Sequence, residues 1–414
     1  MAFYKKLDNG IRIVIYEMPE IMSVNIGIAV NTGGAFETDA EDGISHYIEH
    51  MMFKGTPTRD YLQISEAFDR IGSLSNAYTG KDTTMYYIKS TTEHVEETFD
   101  ILADFFLNAT FPEEEMEKEK SVVIEEIMRA EDDPDDVCQD LLDLATFGPR
   151  GYGRNVLGPE ENVRGFTKEN MRAYMARHYI PQNIVIAMAG NIDTDLAVRM
   201  VEKWFKDIPA SPVASTGIDV SFQYGSLVRT KSEVKQAHVG ICLPAFARND
   251  PMIDAASLLN LILGGGLSSR IYTTVREKMA LAYEVESYLV AFRETGVLVI
   301  TGGFKAARYM DAIDAIFNCM HDLKKEIKPE EFSRAKEQFI ASSIYNEESP
   351  HSMMTLYCKN LLISDRIYDP AKRIENIKKL TIDDLLAVAD RIFVDSKASF
   401  ALVGPFTEPI PKRA

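Results

Sequence analysis

Hydrophobic positions along this chain follow two rhythms, short strand-like runs and longer helical stripes, and their order is written twice. An apolar run from Ser23 to Asn31 (SVNIGIAVN) is matched by one from Gln236 to Leu243 (QAHVGICL), and each precedes a helical pattern. Phe111-Pro112-Glu113-Glu114 opens a long polar helix, as Lys328-Pro329-Glu330-Glu331 does 217 positions later, with proline preorganised for a first helical turn. Further on, Phe166 to Tyr179 leads into the strand IVIAMAG ending at Gly190, and Leu380 to Phe393 leads into ASFALVG ending at Gly404, an offset of 214. Three landmarks at nearly constant offset indicate a duplicated module. Each copy reads as strands, a helical segment and a return strand. That order predicts an α+β fold of two homologous α/β-sandwich-like modules, each a mixed sheet with helices on one face. Between them, Asp207 to Asp219 (DIPASPVASTGID) is rich in Pro, Ser, Ala and Gly and reads as a linker. The expected division is a first module at 1–206, the linker at 207–219 and a second module at 220–414.

Length and charge sharpen this picture. At 414 residues the chain exceeds what one hydrophobic core usually serves, and two domains fit it well. With 45 basic and 63 acidic side chains the formal charge is -18, so no global basic surface is offered to a phosphate backbone and nucleic acid is not an expected partner. The negative field would suit basic ligands, or simply keep the protein in solution; charge alone does not choose. Lys5 and Lys6 are followed by a polar Asp8-Asn9-Gly10 turn instead of a long apolar stretch, and no run approaches eighteen apolar residues. A cytoplasmic protein without a membrane partner is the expectation. The 4 cysteines, Cys138, Cys242, Cys319 and Cys358, are far apart, which suits neither a disulfide framework nor a thiolate metal site. A metal here would be held by His and carboxylates.

The segment Gly43–Lys54 (GISHYIEHMMFK) has helical spacing, which puts His46 and His50 at i and i+4 on one face. With Glu49 included, the three side chains fall within an arc of roughly 100° and can converge on one point. Two neutral imidazoles suit Zn²⁺, and a neighbouring carboxylate can take a proton from the attacking water, which is the logic of the HxxEH signature. A third ligand is needed. The polar helix after Pro112 offers Glu119 and Glu126, seven residues apart and therefore two turns along one face. Spacing alone leaves the choice between them open.

HxxEH at 46–50, a Glu 76 residues after His50 and a duplicated half together resemble the pitrilysin family of metallopeptidases, specifically its short members related to mitochondrial processing peptidase and bacterial processing proteases. The likeness runs through LDNGIRIV, HYIEHMMFKGT, NAYTGKDTTMYY, KSVVIEEI and LGGGLSSRIYTTVREKMALAY. It implies that His46, His50 and Glu126 bind one Zn²⁺ per chain, that Glu49 is the general base and that Glu119 is an accessory catalytic carboxylate. It also implies that Arg276 and Tyr283 complete the catalytic centre by holding substrate and stabilising the oxyanion. Asn76 and Ala77 would pair with an extended substrate through the main chain, and Gly264, Gly265 and Gly266 would handle substrate. Laying Pro112 on Pro329 puts Ser343 opposite Glu126, so the second half lacks the metal site.

The activity implied by the resemblance is that of a zinc-dependent endopeptidase acting on peptides or unfolded and leader segments inside a chamber formed by two chains. Long members carry four modules, so a homodimer of this two-module chain would restore four. Two rivals are a noncatalytic relative that serves as a recognition subunit, and a metal-binding regulator that holds peptides without cutting them. The presence of every expected catalytic residue argues against the first.

Overall fold

A computed structural model describes residues 2–212, 217–218 and 220–413, so the predicted linker lies partly outside the described residues at 213–216 and 219. Eleven strands are formed among the described residues. They are β1 (Phe3–Lys6), β2 (Arg12–Glu17), β3 (Ser23–Val30), β4 (Leu74–Thr79), β5 (Thr84–Thr91), β6 (Ile184–Gly190), β7 (Ser226–Thr230), β8 (Gln236–Ala245), β9 (Ala282–Ala291), β10 (Gly296–Lys305) and β11 (Ser399–Gly404). They make two mixed sheets, ordered β1-β2-β6-β3-β5-β4 and β7-β11-β8-β10-β9. With β1 set aside, the two orders are the same under the repeat: β2 answers to β7, β3 to β8, β4 to β9, β5 to β10 and β6 to β11. In each sheet the first and last of these strands pair in parallel and the other pairs are antiparallel. The duplicated α+β module is therefore a property of the fold.

Each sheet belongs to a compact unit of its own, but the units do not follow the chain in order. One comprises Met1–Ile127, Asn155–Ile218 and Tyr345–Asp369; the other comprises Met128–Arg154, Asp219–Ile344 and Pro370–Ala414. The sequence pattern puts 128–154 in the first module and 345–369 in the second, whereas packing assigns each to the other. The reason lies in the central strands. β6 and β11 are buried along their whole length, as runs apolar at every position or, in β11, at all but Ser399 require, so both faces of each sheet need cover.

In the first unit, the main helical layer meets Ile26, Ile28, Tyr86, Ile186 and Met188, while Ala29, Met85, Val185 and Ala187 on the opposite face meet the helix Pro350–Ser364. In the second unit, the helix Pro134–Phe147 packs against β8 and β11. The layer of helices on one face is as the pattern predicts; the additional helix on the other face comes from the other half of the chain.

One glycine in each sheet opens the slot for that helix. A Cβ on Gly27 of β3 would lie 2.3 Å from Met354 Sδ, and one on Gly240 of β8 would lie 2.9 Å from Leu142 Cδ2. These glycines occupy the same place in SVNIGIAV and QAHVGICL. Gly27→Val is expected to overpack this contact and lower stability by roughly 1–3 kcal/mol. Urea unfolding checks this, with Gly165→Ala as a control, since no atom lies within 4 Å of a Cβ built there.

Candidate metal centre

The helix Ile44–Met51 carries both histidines and starts from an unusual cap. Gly43 has φ 94°, and a Cβ there would sit 2.6 Å from the Leu157 carbonyl oxygen, so only glycine fits. Glycine has no side chain to cap the first turn, and a remote carboxylate does so instead. Buried Glu37 accepts hydrogen bonds from the Gly43 and Ser45 N–H groups, both 2.8 Å. The Ser45 hydroxyl bonds to Tyr174 OH at 2.8 Å, which bonds to Thr32 Oγ1 at 2.7 Å. His46 is the next residue in the helix. Burial pushes the Glu37 carboxyl up to about 7 against the pull of its hydrogen bonds.

The long helix Glu113–Asp132 supplies the carboxylates and is tied to the histidine helix by Tyr47 OH, which donates to the Met116 carbonyl at 2.8 Å. Glu126 Oε2 lies 3.4 Å from His50 Nε2 and 3.7 Å from His46 Nε2, and the two Nε2 atoms are 3.3 Å apart. Ligands held tetrahedrally about zinc at about 2.0–2.1 Å stand about 3.3–3.4 Å from one another, so the triangle has the size of a zinc site. Its proton inventory points the same way. In the neutral His50 ring, Glu119 Oε1 accepts a hydrogen bond from Nδ1–H at 2.8 Å, which leaves Nε2 as a lone pair. Burial would lower His50, but the Glu119 hydrogen bond and the charges of Glu119, Glu126 and Glu49 raise it, a concentration of negative charge that favours a cation. Burial, then the neighbouring His50, hold His46 down at about 3, so that ring is neutral. In the neutral forms, at most one proton is shared among three atoms that face one another. A divalent cation satisfies that arrangement.

Glu119 therefore stands behind the triangle, and its other oxygen receives Lys54 Nζ at 2.5 Å. Burial raises its carboxyl, but the hydrogen bonds from His50 and Lys54 more than reverse this and leave it below the ordinary range. Its visible work is to fix the tautomer and ring angle of His50. Glu49 points to β4, where its Oε2 accepts from Thr79 Oγ1 at 2.5 Å. Burial raises the Glu49 carboxyl, partly offset by Thr79 and His50, while the Glu126 charge adds to the rise. Asn76 and Ala77 lie on the same strand, β4, which is the edge of its sheet. The Asn76 side chain accepts from the Ala77 N–H at 2.8 Å.

The remaining predicted residues gather in the second unit. Gly264, Gly265, Gly266, Arg276 and Tyr283 line one cleft of about 350 Å³, joined by Tyr272. Arg276 lies in a π-helical segment, Tyr272–Lys278; it donates to Tyr272 OH, and its guanidinium sits 5.2 Å from the Tyr283 ring centre. Tyr283 is placed by a bulge. Gly302 pairs with Val285 and Phe304 with Ala282, so Tyr283 and Glu284 together face Gly303, and Tyr283 stands 78% exposed. Sequence reasoning missed Glu37, Thr79, Lys54 and Tyr272. Only Tyr272 left a signal, its i, i+4 spacing to Arg276.

Residues 12–160 match the profile of Insulinase (Peptidase family M16), and residues 165–339 that of the Peptidase M16 inactive domain. The uncharacterized zinc protease YmxG of Bacillus subtilis is 38% identical over 399 residues, covering 96% of this chain and 97% of its own. The chain belongs to peptidase family M16. An uncharacterized zinc protease of Rickettsia felis is 32% identical, with 97% of each chain covered. Among solved structures, a protease from Helicobacter pylori superposes with TM-score 0.91 at 21% identity, covering 98% of this chain and 99% of that one. A Pseudomonas fluorescens peptidase M16 inactive domain superposes with TM-score 0.90 at 18% identity over the whole of both chains. The HxxEH helix and Glu126 all fall within the match to the first M16 profile, and Arg276 within the second. Among the described residues, no helix is long and apolar enough to cross a membrane.

Glu37 offers a direct test of how the histidine helix is held. Its folded-state pKa lies above its ordinary value of 4.5, so its stabilising contribution is full below pH 4.5 and is lost as pH rises through about 7. Urea midpoints of wild type and Glu37→Gln are expected to diverge across that window, with wild type losing ground as pH rises. Glu37→Ala leaves two buried N–H groups without their acceptor and is expected to cost roughly 1–3 kcal/mol.

Proposed function

We propose that this chain is a zinc-dependent endopeptidase that hydrolyses peptides or unfolded segments within a chamber formed by two copies of the chain. The observation that carries this reading is the triangle of His46, His50 and Glu126, with its zinc-sized edges. Relatives named zinc proteases along nearly the whole chain support it.

Zinc bound by these three residues would lower the pKa of water and polarise the scissile carbonyl. The chain's own groups do the rest. Glu49, one residue before His50 and kept relatively basic by burial, takes the proton of the attacking water and passes it to the leaving amine. Thr79 holds that carboxylate toward β4, so the base and the edge that receives substrate are fixed together. An extended peptide adds to β4 antiparallel or parallel, and its carbonyl replaces the Asn76 side chain as acceptor for the Ala77 N–H. Arg276, carried with Tyr283 in the second unit, binds the substrate main chain and the oxyanion, in a site completed by the partner copy.

Cleavage of a mixed peptide library, read by mass spectrometry with and without chelator, tests the peptidase reading. Glu49→Gln is expected to keep one zinc per chain and to lose roughly 10²–10⁴-fold in kcat/KM. Equal rates for the two proteins, or a zinc-loaded wild type that cuts nothing, would overturn it. Sharing of sites is read by mixing Glu49→Gln with Arg276→Ala. If the two residues act across a dimer, equal amounts of these inactive proteins should regain about one quarter of wild-type activity after subunit exchange. No recovery would place both residues in one chain.

A further inference from the structure

Beside the cleft of the glycine loop, on the other side of Arg276 and Tyr283, lies a second, larger groove of about 660 Å³. Its charge runs against that of the chain. Lys235, Lys305 and Arg276 line it with a single carboxylate, Glu277, in a protein whose net charge is -18. Glu277 is already engaged, 3.7 Å from Arg276 Nε. Lys235 and Lys305 form no ion pair among the described residues. Both come from the same end of the sheet: Lys305 ends β10 opposite Gln236, and Lys235 is the residue just before β8. Gly303 lines the same groove at the bulge, so main chain as well as side chains forms its wall.

We propose that this groove binds a carboxylate carried by the substrate, either the free C-terminus or an Asp or Glu side chain near the segment that reaches Arg276 and Tyr283. The proposal rests on the peptidase reading for the identity of its ligand, and on the groove alone for its chemistry. Two lysines in the wall of one groove, neither in an ion pair among the described residues, attract an anion, and a mobile carboxylate can meet them at little cost in desolvation because the groove is open to water. Global and local charge then act on different parts of a peptide. The acidic chain disfavours acidic peptides at long range, where salt screens the field, while the groove selects a carboxylate at contact.

The test is binding of fluorescein-labelled peptides that share one neutral core, measured by anisotropy in chelator so that no turnover is needed. One peptide has a free C-terminal carboxylate, one is amidated and carries Glu, one is amidated and neutral, and one is amidated and carries Lys. Wild type is expected to bind at least one carboxylate-bearing peptide roughly five- to tenfold more tightly than the neutral one in low salt, with the gap closing in high salt. In Lys235→Glu/Lys305→Glu the gap should vanish, and in Lys235→Gln/Lys305→Gln it should shrink, while the neutral peptide's Kd stays within about twofold of its wild-type value. Which carboxylate peptide responds identifies the source. Equal affinity for all four peptides, a preference that survives charge reversal, or no measurable binding would overturn the proposal. Cleavage with zinc restored reports separately on the peptidase reading, so the two can fail independently.

Discussion

Two imidazole nitrogens and a carboxylate oxygen lie within 3.7 Å of one another, and in the neutral rings there is at most one proton to share among them. The neighbouring structure sets that spacing. Glu37 and the Tyr174 hydroxyl fix the first turn of the histidine helix, Tyr47 ties it to the carboxylate helix, and Glu119 with Lys54 holds the ring of His50. These contacts set the ligand atoms in place, so a cation would meet a site that needs little rearrangement.

The scaffold around this site is economical. One sheet order, used twice, puts an equivalent strand, β4 in one sheet and β9 in the other, at an edge, and each of these edges lies beside residues expected to handle substrate. β4 meets Glu49 through Thr79, and β9 presents Tyr283 from its bulge. The repeat diverged in what it placed beside each edge. In the first copy a helix carries His46 and His50; in the second the corresponding stretch, SLLNLIL, is buried as ordinary core, with Leu258, Leu259 and Ile262 shielded from water.

Much of this is legible in the sequence where chemistry and spacing speak locally. His46, Glu49 and His50 declare themselves through i, i+3 and i+4 spacing on one short helix, and the repeat through its prolines and return strands. The choice of Glu126 over Glu119 is not local. Both lie on the same face of the same helix, and only the turn of that helix relative to His50 sends one carboxylate to Nε2 and the other to Nδ1. The family resemblance names Glu126 as the ligand, and in the structure it is Glu126 that faces the two Nε2 atoms. Glu37 was invisible because its role belongs to a loop folded back on Gly43 from six residues away. The π-helical turn and the bulge that display Arg276 and Tyr283 are departures from regular hydrogen bonding, and periodicity cannot announce an irregularity. The exchanged helices did leave a mark. IVIAMAG is apolar at every position and ASFALVG at every position but Ser399, instead of every other one, which is the signature of strands covered on both sides.

That exchange also orders events in time. As the chain emerges during synthesis, all six strands of the first sheet are present once Gly190 is out, yet the helix that covers its second face is completed only at Ser364. For the intervening 174 residues the nascent protein would hold an apolar sheet face bare, including Ala29, Met85 and Val185. Such a surface is a natural target for holding chaperones. Late closure by a distant helix makes the first unit dependent on synthesis of nearly the whole chain, so the two halves of this duplicated protein mature together.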